Sequence, residues 1–433
     1  MSVPCDILVI GGGPAGATAA ALLAEAGHDV VLVEKSAHPR FHIGESLLPA
    51  NLPLFERLGI AERIAAIGVR KPGAEFVSDA HRRSVAYPFA AGAARFDHSY
   101  QVPRAAFDTI LFENAMRLGA RGFQNLRVTA ATFPKEPGRA EVTAVGAGGE
   151  TRHFAPRFVL DASGRDTFLA SRLRLKAADK HNNTAAIFGH FRNVARHHDG
   201  REGYISIHLV ENGWFWFIPL PGGITSVGFV GNQSAFKARG GDIAAFFRAQ
   251  IAGSPSVAAR MADAETLGTV MAAGNYSYSA RSACGEGYFL IGDAFAFLDP
   301  IFSSGVFLAM RGADAGAEVA RAWLADPTTA RRLARQAEAR LNAALARLSW
   351  LIRRINTPAL RDMFIAPQES FGMRAGLIAL LAGDLDLPRF HLPVLAFKTS
   401  FHLLAALHPF GIRLQPDGSL RRAHGEKKEM VVF

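Results

Sequence analysis

Cysteine is scarce in this 433-residue chain. Cys5 and Cys284 are the only two, far apart and in no Cys-x-x-Cys pattern. There is thus no disulfide framework and no thiolate metal site, and a reducing cytoplasm is the expected compartment. The fifteen histidines form no HxH or HExxH group, so no metal is assigned. Uncharged apolar runs of the ~18 residues that span a bilayer are missing too. The nearest stretches, 375–383 and 392–408, are short or broken by Asp384, Asp386 and Lys398, which argues against integral membrane association. The opening MSVPCDILVI has no basic segment ahead of its apolar run and reads as a first strand, not a leader. Repeats, low-complexity segments and a GxSxG nucleophile elbow are also lacking. Acidic residues are the minority, 38 against 48 basic, for a formal net charge of +10. No zinc module or aromatic–basic stacking pattern accompanies that excess, so nucleic acid is not the expected partner. Solubility, or steering of an acidic partner or anionic substrate, is the better account.

What is present is an ordinary globular composition, 49% apolar and 20% charged, on a chain long enough for more than one layer of structure. Residues 5–10, 14–27 and 29–34 read as strand, helix and strand, the opening of a doubly wound domain. Helix is expected again near 48–66 and over 103–119, where Pro103 suits a first turn. From 71 to 100 and from 183 to 232 the pattern is strand-like, with turns at Glu211-Asn212-Gly213 and Pro221-Gly222-Gly223. FVLDASGRDT (158–167) reads as a strand and turn, 235–264 as helix and GYFLIGDA (287–294) as a buried strand. A helix is expected over 305–324, mostly helix over 328–408, and then a basic, frayed tail. The expected class is α/β with α+β mixing. A Rossmann-like domain (1–70, 101–180 and 276–327) is interrupted by an antiparallel-sheet domain (71–100 and 181–275). A helical C-terminal region (328–433) follows.

The chemistry begins at Gly11-x-Gly13-x-x-Gly16. Gly11 permits the tight turn, Gly13 lets backbone approach a pyrophosphate, and Gly16 lets the helix, entered through Ala15, pack on the strand. Unpaired N–H groups at the helix start then face the phosphates. Glu34, about 20 residues on, can accept from ribose hydroxyls, with Lys35 beside it. No second fingerprint follows: Gly146, Gly148 and Gly149 lie between strand-like runs. The dinucleotide is therefore read as a retained FAD, reduced by a visiting nicotinamide or by another protein.

Three further segments carry a family resemblance. GDAFAFLDPIFSSG (292–305) resembles the second flavin motif of the single-domain flavin monooxygenases. Within it, Phe297-x-x-Pro300-x-x-Ser303-x-Gly305 resembles the motif of the flavin-dependent halogenases. Gly213-Trp214-Phe215-Trp216-Phe217-Ile218-Pro219 resembles their WxWxIP element, and Lys71, in GVRKPGAEF, lies where they carry a catalytic lysine. The resemblance covers residues 1–330 and weakens beyond. It implies FAD contacts at Asp293, Pro300, Gly305 and Val306. The FHIGES loop (41–46), including Ser46, would lie along the isoalloxazine, with Arg104 and, in DASGRDT, Asp161 and Gly164 as further flavin-motif positions.

The same resemblance implies a halide at Ser304 and Gly305, Ser304 being counted with Lys71 as catalytic. The residue-level alternative is a plain serine N-cap of the following helix. Trp214 and Trp216 share one strand face and become a wall between flavin and substrate. Lys71, extended by the Pro72 that follows it, is expected on a face of the inserted sheet. There it would hold hypohalous acid as an ammonium donor or as a chloramine. The implied reaction uses FADH2, O2 and chloride or bromide, through a flavin hydroperoxide and hypohalous acid, with a flavin reductase as partner. Tryptophan halogenases carry a glutamate directly before the serine–hydroxyl–glycine turn. Phe302 stands there, as a pocket wall, which points to a phenol or pyrrole, free or on an acidic acyl or peptidyl carrier protein attracted by the basic surface. The substrate pocket is expected where the inserted sheet meets the C-terminal helices, near Phe364 and Phe371. The alternatives are an aromatic hydroxylase and a geranylgeranyl-reductase-like flavoprotein.

Overall fold

A computed structural model of the chain describes residues 2–92, 96–232, 236, 241–386, 388–415 and 417–422. The expected basic tail beyond 422 and part of the helix expected from 235 lie outside the described residues.

The first sheet is built on Ser2–Ile10, whose ILVI run is buried on both faces, as a central parallel strand must be. It pairs in parallel with Val30–Val33 on one side and Thr151–Asp161 on the other. Arg121–Phe123 and Tyr288–Leu290 extend it in parallel on the two flanks. Gly146, Gly148 and Gly149 fall at the turn of a hairpin joining Glu141–Gly146 to Thr151–Asp161. The buried positions of the crossover helix Pro14–Glu25 are mostly small, with six alanines, Gly16 and Thr18 among ten. These small side chains let it lie close to the sheet between the helices Arg104–Arg117 and Ser304–Ala325.

The second sheet has eight strands. All neighbours are antiparallel except Ile205–Val210, which runs parallel to Gly73–Ser78. Its two longest strands, Lys176–Arg192 and Glu265–Ala280, pair with each other; the chain enters the second sheet from the first through one and returns through the other. The second of these was not expected from the sequence. ETLGTVMAAGNYSYSA is rich in small residues and lacks apolar alternation, so only pairing on both edges makes it a strand. Gly213–Pro219 divides its faces by period two. Trp214, Trp216 and Ile218 join one apolar cluster, while Phe215 and Phe217 join another with Phe229 and Phe247.

The C-terminal region is helical, over Pro327–Ile352, Pro358–Ile365, Met373–Ala382 and His391–Leu407. One apolar stretch exceeds expectation. Among the described residues, Pro388–Phe410 is long and apolar enough to cross a membrane. A single Lys398 does not interrupt it, because one long side chain can lay its stem along an apolar face. Leu392, Leu395, Leu403 and Phe410 on it are exposed.

Asp362 ties this region to the second sheet. Its carboxylate, fully buried, accepts from His81 Nε2 at 2.9 Å, His408 Nε2 at 3.2 Å and Arg413 Nη2 at 2.9 Å. Burial alone would raise its pKa. The hydrogen bonds from His408, His81 and Arg413 outweigh it and hold the carboxyl well below the usual range. A depressed folded pKa gives stability that is present above the unfolded value, about 3.9, and lost as pH falls through the folded one. Asp362→Asn is expected to cost about 3 kcal/mol at pH 7. In urea titrations the variant and parent should converge as pH falls below about 4.

Candidate active site

The glycine turn is fixed by contact as well as by conformation. Gly11 has φ +102°, and a Cβ there would run into the Ala162 carbonyl; a Cβ on Gly16 would run into the Gly11 carbonyl. Gly16 therefore serves packing and does not line the cavity described below. At Gly13 nothing but Arg40 Nη2, 3.5 Å from a notional Cβ, stands near. No side chain caps the helix that follows, so its first N–H groups are open to an anion. Glu34 is buried, and its carboxylate accepts from Gly12 N at 2.7 Å and Ser36 N at 2.9 Å. Lys35 pairs with Asp166 at the rim.

From this turn a cavity of about 850 Å³ runs to the second sheet. Gly11, Gly13, Ala15, Glu34 and Lys35 line its first end. Ser46, Arg104, Asp293, Pro300, Gly305 and Val306 line its middle, and Trp214 and Trp216 its far wall. The two indoles are 5.9 Å apart, and Trp216 Nε1 donates to Ser226 Oγ at 3.2 Å, which fixes the wall. Arg104 does not point a free guanidinium at the cavity. It forks onto Asp108 and donates from Nη1 to Ile43 O at 2.7 Å, so it holds the 41–46 loop. Asp161 is outside the lining, buried, and accepts from Ser163 N and Leu169 N at 2.9 and 2.7 Å; Gly164 in that turn does line it. Burial pushes the Asp293 carboxyl up to about 6, against Arg165 and Arg104. Among the described residues no hydrogen bond ties that carboxyl, which leaves it for a ligand hydroxyl.

The second turn differs from expectation in detail. Ser303 is left-handed, at φ +55°, and the 22-residue helix Ser304–Ala325 starts after it without a side-chain cap. The serine N-cap is not formed. Gly305 and Val306 face the cavity, with nothing within 4 Å of a notional Gly305 Cβ. The Ser304 side chain is buried and does not line the cavity; Ser303 does. Whatever Ser304 offers a ligand is its N–H.

Two residues lie elsewhere than expected. Lys71 is not on the inserted sheet. It ends Val69–Lys71, a ribbon paired with Ser99–Gln101. Its Nζ is buried behind the cavity, 2.8 Å from Ser46 Oγ and 2.9 Å from Leu47 O. Burial pushes its pKa down to about 7. Phe302 is no cavity wall. The left-handed turn at Ser303 places it in the core, stacked on Phe364 at 6.1 Å. The junction of the second sheet with the C-terminal helices is thus packed, and the cavity lies between the two sheets. Phe371 is 77% exposed, away from it. Sequence reading passed over Arg40, which reaches Glu34 at 3.6 Å and Asp108 at 3.4 Å. It also passed over Phe188, which packs on Trp216 at 6.0 Å. Strand alternation was the available signal for Phe188; Arg40 had none.

A dinucleotide fits this geometry: two close glycines, an uncapped helix start, an acid at the end of the second strand and an unbonded carboxyl in mid-cavity. The FAD binding domain family matches residues 4–318. Tryptophan 2-halogenase of Chondromyces crocatus is 36% identical over 312 residues, which is 71% of this chain and 59% of that one. The 1H-pyrrole-2-carbonyl-[peptidyl-carrier protein] chlorinase of Pseudomonas fluorescens is 34% identical over 333 residues, 71% and 74%. The solved structure of a flavoprotein/dehydrogenase from Cytophaga hutchinsonii superposes with TM-score 0.85 at 28% identity, covering 94% of this chain and all of that one. The myxobacterial chondrochloren halogenase superposes at 0.77 and 28%, covering 96% and 99%.

The fold and cavity are those of an FAD-binding flavoprotein. The chain belongs to the flavin-dependent halogenase family. It spans less than two thirds of the length of several curated relatives that it matches. Glu34→Ala, which removes a buried carboxylate from the dinucleotide end, is expected to weaken FAD binding about 10- to 100-fold. Quenching of flavin fluorescence on titration measures it.

Proposed function

We propose that the protein halogenates an electron-rich aromatic ring, a phenol or a pyrrole, using reduced FAD, O2 and chloride or bromide. The observation that carries the reading is the uncapped start of Ser304–Ala325 opening on the flavin cavity at Gly305. Bound FADH2 would supply two electrons to O2. The balance is FADH2 + O2 + Cl⁻ + H⁺ + Ar–H → FAD + Ar–Cl + 2 H2O. The N–H groups of Ser304 and Gly305 hold the halide at the positive end of the helix. Trp214 and Trp216 keep the ring of the substrate from the flavin, so that the halide is oxidised first. Lys71 holds the hypohalous acid. As an ammonium it has three N–H donors, of which Ser46 Oγ and Leu47 O take two, and the third remains for the acid's oxygen.

A flavin reductase is the proposed source of FADH2, because one dinucleotide turn serves one retained cofactor. The substrate is read as a phenol or pyrrole because Phe302, where a tryptophan enzyme has its glutamate, is core. The relative that acts on a carrier-bound pyrrole and the +10 charge support an acidic carrier protein as the form in which it arrives.

Purified protein supplied with a flavin reductase, O2, bromide and a panel of phenols and carrier-bound pyrroles is expected to give brominated product by mass spectrometry. Lys71→Met should abolish it and keep FAD. The ammonium is present below pH about 7 and lost above it, so single-turnover product should fall as pH rises through that point. A product heavier by one oxygen would instead assign a hydroxylase.

A further inference from the structure

We propose that Glu45 and His190 form the proton path between solvent and the flavin cavity, Glu45 being the group that faces the cavity. The halogenase reading enters only through the proton that its balance consumes.

The Glu45 side chain is 2% exposed and lines the cavity. Its Oε1 lies 2.7 Å from His190 Nε2. Its Oε2 is buried with no hydrogen-bond partner, an unusual state that a proton or a ligand on that oxygen would explain. His190, on Lys176–Arg192, has a side chain 28% exposed and meets the ring of Phe41 edge-on at 5.9 Å; Phe41 is half exposed. The pair thus spans from the surface to the cavity through two proton-carrying groups. Its loop is anchored on both sides, by Val102 N to Glu45 O at 2.8 Å and Leu47 N to Tyr100 O at 3.0 Å.

The surroundings leave this pair electrically simple. On the loop itself, burial and then Arg104 keep His42 neutral, pushed down to about 4. On Arg104–Arg117, Arg104 pairs with Asp108, which Arg40 also reaches. On the strands flanking His190, the register partners are Ser226 and Leu267, which do not titrate. Lys71 stands beyond Ser46. The hydrogen bond that His190 donates to the Glu45 carboxylate raises the His190 pKa, against burial. That bond favours the imidazolium, the form that can give up a proton.

In the step itself, imidazolium Nε2–H passes its proton to Glu45 Oε1, and His190 is reprotonated from solvent. Rotation of the carboxyl turns the proton to the cavity, and its release there restores the carboxylate. One proton moves and no electrons do. The need is physical: the cavity's far wall is apolar, and it must receive one proton per turnover.

Two measurements test the pair. In flavin-free protein with ¹⁵N-histidine, His190, assigned by its loss in His190→Gln, is expected to titrate above the ordinary value of about 6.5. Its midpoint should drop by about one pH unit or more in Glu45→Gln. In a single turnover followed with a pH-indicator dye, proton uptake should slow about 100-fold in Glu45→Gln and His190→Gln. FAD affinity should stay within about threefold, and added imidazole should restore uptake in His190→Gly alone. A His190 midpoint indifferent to Glu45→Gln, proton uptake at the parent rate, or loss of FAD binding in Glu45→Gln would each overturn the proposal. The titration needs neither flavin nor halide. Parent protein that yields no halogenated product would contradict the halogenase reading and leave the titration result standing.

Discussion

Everything in the active site depends on one close approach of backbone to backbone. Gly16 lies against the carbonyl of Gly11, and Gly11 against that of Ala162 at the end of Thr151–Asp161. No residue with a side chain fits either place without moving the main chain. That contact brings the start of the first helix onto two strand ends and aims its free N–H groups into the cavity. Glu34 reinforces it from the neighbouring strand by accepting from Gly12 N. Cofactor affinity and the folding of the first sheet are thus set by the same few atoms.

The second end of the site is built differently. Two long strands of the second sheet, Lys176–Arg192 and Glu265–Ala280, pair with each other, and through them the chain leaves the first sheet and returns to it, with the cavity between the sheets. Across it stand an indole wall on one side and the helix start at Ser304 on the other. The loop 41–46 closes the gap and is fixed by Arg104 and by backbone bonds to residues 100 and 102. Two consecutive residues of that loop turn to different partners, Glu45 to His190 and Ser46 to Lys71. In the proposed reaction, cofactor, proton and oxidised halide meet along this one short segment. A small displacement of it would disturb all three.

The sequence was most legible where the signal is local. The glycine turn, with strand, helix and acid around it, and the paired tryptophans at period two are contained within runs of a few dozen residues. What stayed hidden depends on long-range pairing. Lys71 is dictated by Ser46, Leu47 and the strand at 99–101, and nothing within GVRKPGAEF names them. Phe302 neighbours the halide turn in sequence, but a left-handed Ser303 sends it to Phe364. Glu265–Ala280 carries too little alternation to be read without its neighbours. His190 reads as one histidine among fifteen until the fold places it on Glu45.

The central claim is that the oxidising power gathered at the flavin is delivered to a halide held at the start of Ser304–Ala325. Crystals grown with FAD and soaked in bromide test it most directly, through the anomalous scattering of bromine. A bromide peak within hydrogen-bonding reach of the Ser304 and Gly305 N–H groups is the predicted result. Ordered FAD in the cavity with no halide at that helix start, at bromide concentrations that saturate turnover, would contradict it.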